Sequence, residues 1–234
     1  WVLGYSDDEM NNFFIKALIE SAINSYRIDN PTQSFFCSEI DILYPPNHKE
    51  FMDFIGYVNE TILKLYGENT LGTTICMAIV NEEKTFVLNI GDSRCYIFTD
   101  KEFIQVNEDD SEVYRLYKNG SVNKNDLKYF TYNNLITRCI GLNNDLCRSR
   151  CYIIDKKFDG IILFSDGVTD VLDEEEIFSI IKSNDKEKIL DAIVDKAVYG
   201  EKDFVIPEYL KAKYKYLFTP FNGKDNTSGV VYVK

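Results

Sequence analysis

Asp166 and Asp170 stand four positions apart in Leu163-Phe164-Ser165-Asp166-Gly167-Val168-Thr169-Asp170, directly after the apolar run Gly160 to Phe164. A strand ending there would hold the Asp166 carboxylate rigidly at a sheet edge. A helix starting after Gly167 would bring Asp170 back to the same side one turn later. Two carboxylates held together in a partly dry place call for a proton or a cation between them. The same residues also suit a plain strand-to-helix junction with Asp166 as a helix cap.

Two more acidic turns flank strand-like runs, Gly91-Asp92-Ser93-Arg94 and Asp225-Asn226. Asp and Asn beside Gly are the commonest turn formers, so each turn taken alone needs no further explanation. Taken together, in this order, they offer what a hard divalent cation requires: oxygen donors brought from distant strand ends. Mg²⁺ and Mn²⁺ take such donors in octahedral geometry and keep several waters. The sequence offers no His-rich or Cys-rich alternative; its one histidine, His48, follows Pro45-Pro46-Asn47 and reads as a solvated turn residue.

The elements that must carry these turns follow from periodicity. Helical spacing covers about Asp7 to Tyr26, and again Glu50 to Tyr66, through Phe51, Phe54, Ile55, Val58, Ile62 and Leu65. Gly67 closes the second helix. Between the two lies a loop from Asp29 to Asn47 without clear periodicity. Strands are predicted over Thr73 to Val80, Thr85 to Ile90 and Arg94 to Phe98, joined as antiparallel hairpins by short turn-forming separators. Lys101 to Val106 reads as a fourth strand, and Ser111 to Lys118 as a short helix stopped at Asn119-Gly120. Leu135 to Ile140 reads as a strand or buried segment, and Cys151 to Ile154 and Gly160 to Phe164 continue the sheet. Helices follow at about Asp173 to Lys182 and Lys186 to Val198. An irregular insertion, 200–221, precedes the last strand, Gly229 to Val233. Hairpins mixed with helix pairs, without regular strand-helix-strand alternation, indicate an α+β sandwich within one domain spanning 1–234.

Composition narrows the function. Among 234 residues, 38 acidic against 26 basic side chains give a formal charge of −12, which disfavours nucleic acid and anionic membrane surfaces as partners. No window reaches the roughly twenty apolar residues of a membrane span. The six cysteines (Cys37, Cys76, Cys95, Cys139, Cys147, Cys151) lack a paired framework and read as free thiols in a reducing, cytoplasmic compartment.

At this level the chain resembles the bacterial metal-dependent protein phosphatases of type 2C. The likeness runs from about Leu71 to Lys234. It rests on Gly72-Thr73-Thr74, Asn89-Ile90-Gly91-Asp92-Ser93-Arg94-Cys95-Tyr96, Asn107-Glu108-Asp109-Asp110-Ser111, Asn134 through Gly141, Ser165 through Asp170, and Gly223-Lys224-Asp225-Asn226-Thr227. The resemblance implies an antiparallel β-sandwich flanked by helix pairs (α-β-β-α) with two or three Mn²⁺ or Mg²⁺ ions at one end. It implies hydrolysis of phosphoserine and phosphothreonine in proteins by a metal-activated water, without a nucleophilic side chain. By the same resemblance Asp166 is the central metal ligand and Asp225 its partner at a catalytic ion. Asp92 and Asp170, with Asp166, form a looser third site, Asn226 supports the Asp225 loop, and Arg94 is structural. A phosphorylated protein is the implied substrate, with a Ser/Thr kinase or its targets as signalling partners and a monomeric state.

The family pattern also places two strands before the first helix, with an acidic residue, a phosphate-binding arginine and an Asp-Gly step. Only Trp1-Val2-Leu3-Gly4-Tyr5-Ser6 precedes the first helix here, so N-terminal truncation is expected. A catalytically inactive, phosphatase-like regulatory or binding module is the alternative. A sporulation or stress-response branch acting on a phosphorylated anti-sigma antagonist is a more distant one.

Overall fold

The computed structural model describes residues 48–68, 72–80, 85–130, 135–142, 150–200, 206–214 and 226–234. The predicted helix over Asp7 to Tyr26, the 29–47 loop, Asp225, Cys37 and Cys147 lie outside the described residues, as does most of the 200–221 insertion.

Helix α1 (His48–Tyr66) is followed by strands β1 (Ile75–Val80), β2 (Thr85–Ile90), β3 (Arg94–Phe98) and β4 (Phe103–Gln105), then by helix α2 (Glu112–Lys118) and a 3-10 turn over Lys124–Tyr129. Strands β5 (Arg150–Ile154) and β6 (Gly160–Phe164) lead into the single-turn helix α3 (Asp166–Thr169), then α4 (Glu174–Ser183) and α5 (Ile189–Tyr199). Helix α6 (Glu208–Lys213) and strand β7 (Gly229–Val233) complete the described chain.

The strands form two sheets, β1-β2-β5 and β4-β3-β6-β7, with every neighbouring pair antiparallel. Strand alternation explains the layers. In β3 and β6, Cys95, Ile97, Ile161 and Leu163 face the other sheet and meet Val87 and Ile154 in the middle of the sandwich. The residues between them, Tyr96, Phe98, Ile162 and Phe164, face outward onto Ile177, Ile181, Ile189 and Ile193 of the helical layer. On the opposite side Leu88 and Ile90 of β2 pack against Ile55, Val58 and Ile62 of α1. Both faces of β6 are therefore covered, and all five of its residues are buried. The α+β sandwich read from the sequence is the observed architecture.

Several local expectations change. The predicted β2–β3 hairpin is not one: β2 pairs with β1 and β5, β3 with β4 and β6, so the Gly91-Asp92-Ser93 turn carries the chain from one sheet to the other. Leu135 to Ile140 forms neither a strand nor a buried segment. It makes isolated bridges through Ile136 and Ile140, and Leu135 and Ile136 are 50% and 37% exposed while only Ile140 reaches the core. Its middle is polar, and Thr137 N–H bonds the Asp110 carbonyl at 2.7 Å. His48 is the first residue of α1 rather than a turn residue. Leu65, placed on the apolar stripe of α1, is exposed. The insertion is not wholly irregular, because α6 lies within it. Among the described residues Cys76, Cys95, Cys139 and Cys151 are free thiols, and no helix is long and apolar enough to cross a membrane.

Candidate functional site

The sheet-to-sheet corner after β2 depends on Gly91. Its φ of +111° is a conformation that side-chain-bearing residues rarely adopt, and a Cβ there would sit 2.4 Å from Thr74 Cγ2. The loop over 107–110 locks the corner from outside. Gly91 N–H donates to Asp110 Oδ2 at 3.2 Å, and Asp110 N–H returns a bond to the Gly91 carbonyl at 2.9 Å. Asn107 accepts from Cys95 N–H at 2.6 Å and donates to the Ser93 carbonyl at 2.9 Å. Asp92 is thus presented on a braced turn at one end of the sandwich, 9% exposed.

Arg94 leaves the same corner and is forked onto Asp109, with Nε and Nη2 donating to Oδ2 at 2.9 and 2.6 Å. Gln105 holds the other Asp109 oxygen at 2.9 Å. The structural role expected of Arg94 agrees with this geometry, since a bidentate guanidinium in such a grip is positioned and charge-balanced.

The second corner follows β6. Asp166 is the first residue of α3, and its Oδ1 accepts from Gly167 N–H at 2.9 Å. The capping position before it belongs to Ser165, whose side chain makes no cap bond, so Asp166 is not the helix cap. Asp170 closes the single turn with its N–H on the Asp166 carbonyl at 2.8 Å, the one-turn return that the four-residue spacing predicts. The segment entering β7 is bolted to this corner. Ser165 N–H bonds the Ser228 carbonyl at 3.0 Å, and Ser228 N–H bonds Ser165 Oγ at 3.0 Å. Gly167 is required here because a Cβ would lie 2.4 Å from the Asn226 carbonyl oxygen. Asn226 is the chain neighbour of Asp225, which itself lies outside the described residues.

Asp92, Asp166 and Asp170 line the inner end of one cleft of about 430 Å³, with Arg94, Asp109 and Thr169. Burial, and then the neighbouring Asp166 charge, push the Asp92 carboxyl up to about 6. Burial also pushes Asp170 up to about 7; Arg94 works against the shift, while Asp166 and Asp92 add to it. Carboxylates that hinder one another's ionisation in this way are oxygen donors suited to a hard divalent cation. Among the described residues no three His, Cys, Asp or Glu side chains close into a complete metal cluster, so water and further protein donors would have to complete a shell. That composition fits Mg²⁺ or Mn²⁺, which retain several waters when bound.

The outer wall of the cleft contains residues that sequence reasoning did not single out. Val113 and Leu127 line it and pack behind with Val122 and Phe130 in a small cluster of their own, where the Tyr214 ring lies 5.2 Å from Phe130. Tyr209 of α6 donates to buried Asp126 at 2.6 Å, and Lys124 pairs with Glu174 at 2.8 Å. The last two contacts join residues 83 and 50 positions apart and leave no local signal in the sequence. Thr169, between Asp166 and Asp170, was given no role of its own in the sequence reading. It is 7% exposed, and its hydroxyl has no hydrogen-bond partner among the described residues.

The two stacked antiparallel sheets with helices outside are the fold of the PPM phosphatases. The PPM Ser-Thr phosphatase MsPP from Mycobacterium smegmatis superposes with a TM-score of 0.64 at 21% identity, covering 92% of this chain and 79% of that one. The catalytic domain of the serine threonine protein phosphatase PstP, in complex with two manganese ions, superposes with a TM-score of 0.56 at 17% identity, covering 80% and 75%. Residues 52–189 match the Protein phosphatase 2C family, and the chain belongs to that family. A curated relative, the serine/threonine phosphatase stp of Listeria welshimeri, is 31% identical over 156 residues, 64% of this chain. The chain spans 62% of that relative's length.

Proposed function

We propose that the protein hydrolyses phosphoserine and phosphothreonine monoesters in proteins, using Mn²⁺ or Mg²⁺. One observation carries this reading: in a chain of the type 2C family, two strand corners from different parts of the sequence bring Asp92, Asp166 and Asp170 into a single cleft. In the proposal Asp166 is the central ligand, with Asp92 and Asp170 beside it and Asp225 as a further donor next to Asn226. A bound pair of divalent ions would supply an activated water and neutralise charge on the phosphoryl oxygens.

The chain's own residues do the positioning. The Gly91 corner and the Ser165–Ser228 bonds brace the two turns, just after β2 and just after β6, that carry the carboxylates. Arg94 is committed to Asp109 and so braces the floor of the cleft rather than grasping phosphate. Phosphorylated targets of a Ser/Thr kinase, a signalling role in the cytoplasm and a monomeric state complete the proposal.

The test is hydrolysis of p-nitrophenyl phosphate by the full-length gene product. Turnover is expected with added Mn²⁺ and none after chelation. A full-length protein that stays inert with Mn²⁺ supplied would overturn the reading in favour of a phosphatase-like binding module.

A further inference from the structure

The cleft continues outward from the three aspartates to a wall that hydrolysis itself does not use. Lys124 Nζ reaches Glu174 Oε1 at 2.8 Å, tying the 3-10 turn to the start of α4, with Glu175 exposed beside it. Tyr209 is 56% exposed, yet its hydroxyl is held by Asp126, which Asn123 also contacts at 3.2 Å. The ring therefore stands fixed in the wall with solvent on one side.

The charge of the lining is lopsided. Seven carboxylates and two cations face the cleft among the described residues, and both cations are already engaged, Arg94 with Asp109 and Lys124 with Glu174. A phosphorylated residue brings negative charge that only the inner end, with metal bound, can accept. The outer wall would repel acidic neighbours of that residue and attract basic ones. Thr169 lines the inner end of the same cleft, and its buried hydroxyl has no hydrogen-bond partner among the described residues.

Resting on the phosphatase reading above, we infer that the outer wall selects phosphoproteins with Lys or Arg flanking the phosphorylated residue. Glu174 and Glu175 take the cationic head, and the Tyr209 face takes the alkyl stem and the charge above it. Lys124 is a built-in competitor for Glu174, so an incoming basic side chain displaces it.

The experiment compares kcat/KM of the full-length, Mn²⁺-loaded protein on three phosphopeptides that differ only in having Arg, Ala or Glu beside the phosphoserine. The Arg peptide is expected to exceed the Glu peptide by about fivefold at low salt, with the ratio shrinking as salt screens the wall. The readout is a ratio, so any common loss of catalytic power cancels. Lys124→Gln releases Glu174 and raises the ratio; Glu174→Gln leaves Lys124 alone at the mouth and lowers it. A merely structural ion pair would move both variants the same way. Equal rates on the three peptides, or a shift of both variants in one direction, overturn the inference while leaving the phosphatase reading intact. Failure to hydrolyse any phosphoester overturns both.

Discussion

At the inner end of the cleft, Asp92 sits on the corner after β2, and Asp166 and Asp170 begin and close the single turn after β6. All three are half-buried or deeper, and burial together with the Asp166 charge raises the proton affinity of Asp92 and Asp170. At the outer wall, Lys124 on the 3-10 turn and Glu174 at the start of α4 both keep exposed side chains, and the pair answers chiefly to water. The two ends share a chemistry of charged side chains and differ in solvent. Burial turns charge at the inner end into an obligation, because a dry carboxylate must find a proton or a cation. Exposure makes charge at the wall adjustable, since solvent and salt screen it.

The contrast can be broken most directly at Asp166. Asp166→Asn is expected to lower both Mn²⁺ affinity by calorimetry and turnover by about a thousandfold, as the proposed shared ligand is lost. Native values for both would remove the inner end's special status. Next in size is the brace behind it. Asp109→Asn strips the fork from Arg94 in a largely buried pair and is expected to cost about 3 kcal/mol in urea denaturation. A cost near zero would mean that the inner end tolerates unpaired charge as readily as the wall.

The pH dependence sharpens the comparison further. Asp92 and Asp170 rise in the metal-free fold from 3.8 to about 6 and about 7, so the folded state binds more protons than the unfolded one across that window. The contribution of these two groups to the stability of the metal-free protein should therefore be fully present below about pH 4, fall as pH rises to about 7, and level off above. Because Mn²⁺ must displace those protons, its effect on Tm should be larger at about pH 8 than at about pH 5. A metal-induced shift independent of pH would contradict the burial of these groups. The smallest effect belongs to the wall: a double-mutant cycle on Lys124 and Glu174 should give a coupling under about 1 kcal/mol that fades with salt.

The layer architecture was legible in the sequence because strand alternation and helical spacing are local. The Asp166-to-Asp170 return was legible for the same reason, being one turn of helix. The β2–β3 connection was not. Gly91-Asp92-Ser93 looks like a hairpin turn, and nothing nearby distinguishes a chain that folds back from one that crosses to a second sheet. The decision lies in Asn107 and Asp110, which brace the corner from 12 and 19 residues away. Arg94 and Asp109 both fell within quoted motifs, but their pairing needed the fold. Tyr209 and Asp126, 83 positions apart, could not have been matched from the chain alone.

The bonds between Ser165 and Ser228 give the site a history as well as a shape. The corner bearing Asp166 gains its clamp from a partner 63 positions further along, so a nascent polypeptide leaves the ribosome with that clamp still unmade. Until β7 has been translated and has zipped onto β6, the growing chain has an unfinished centre. The Asp166 corner therefore takes its final shape only after the last strand has been made.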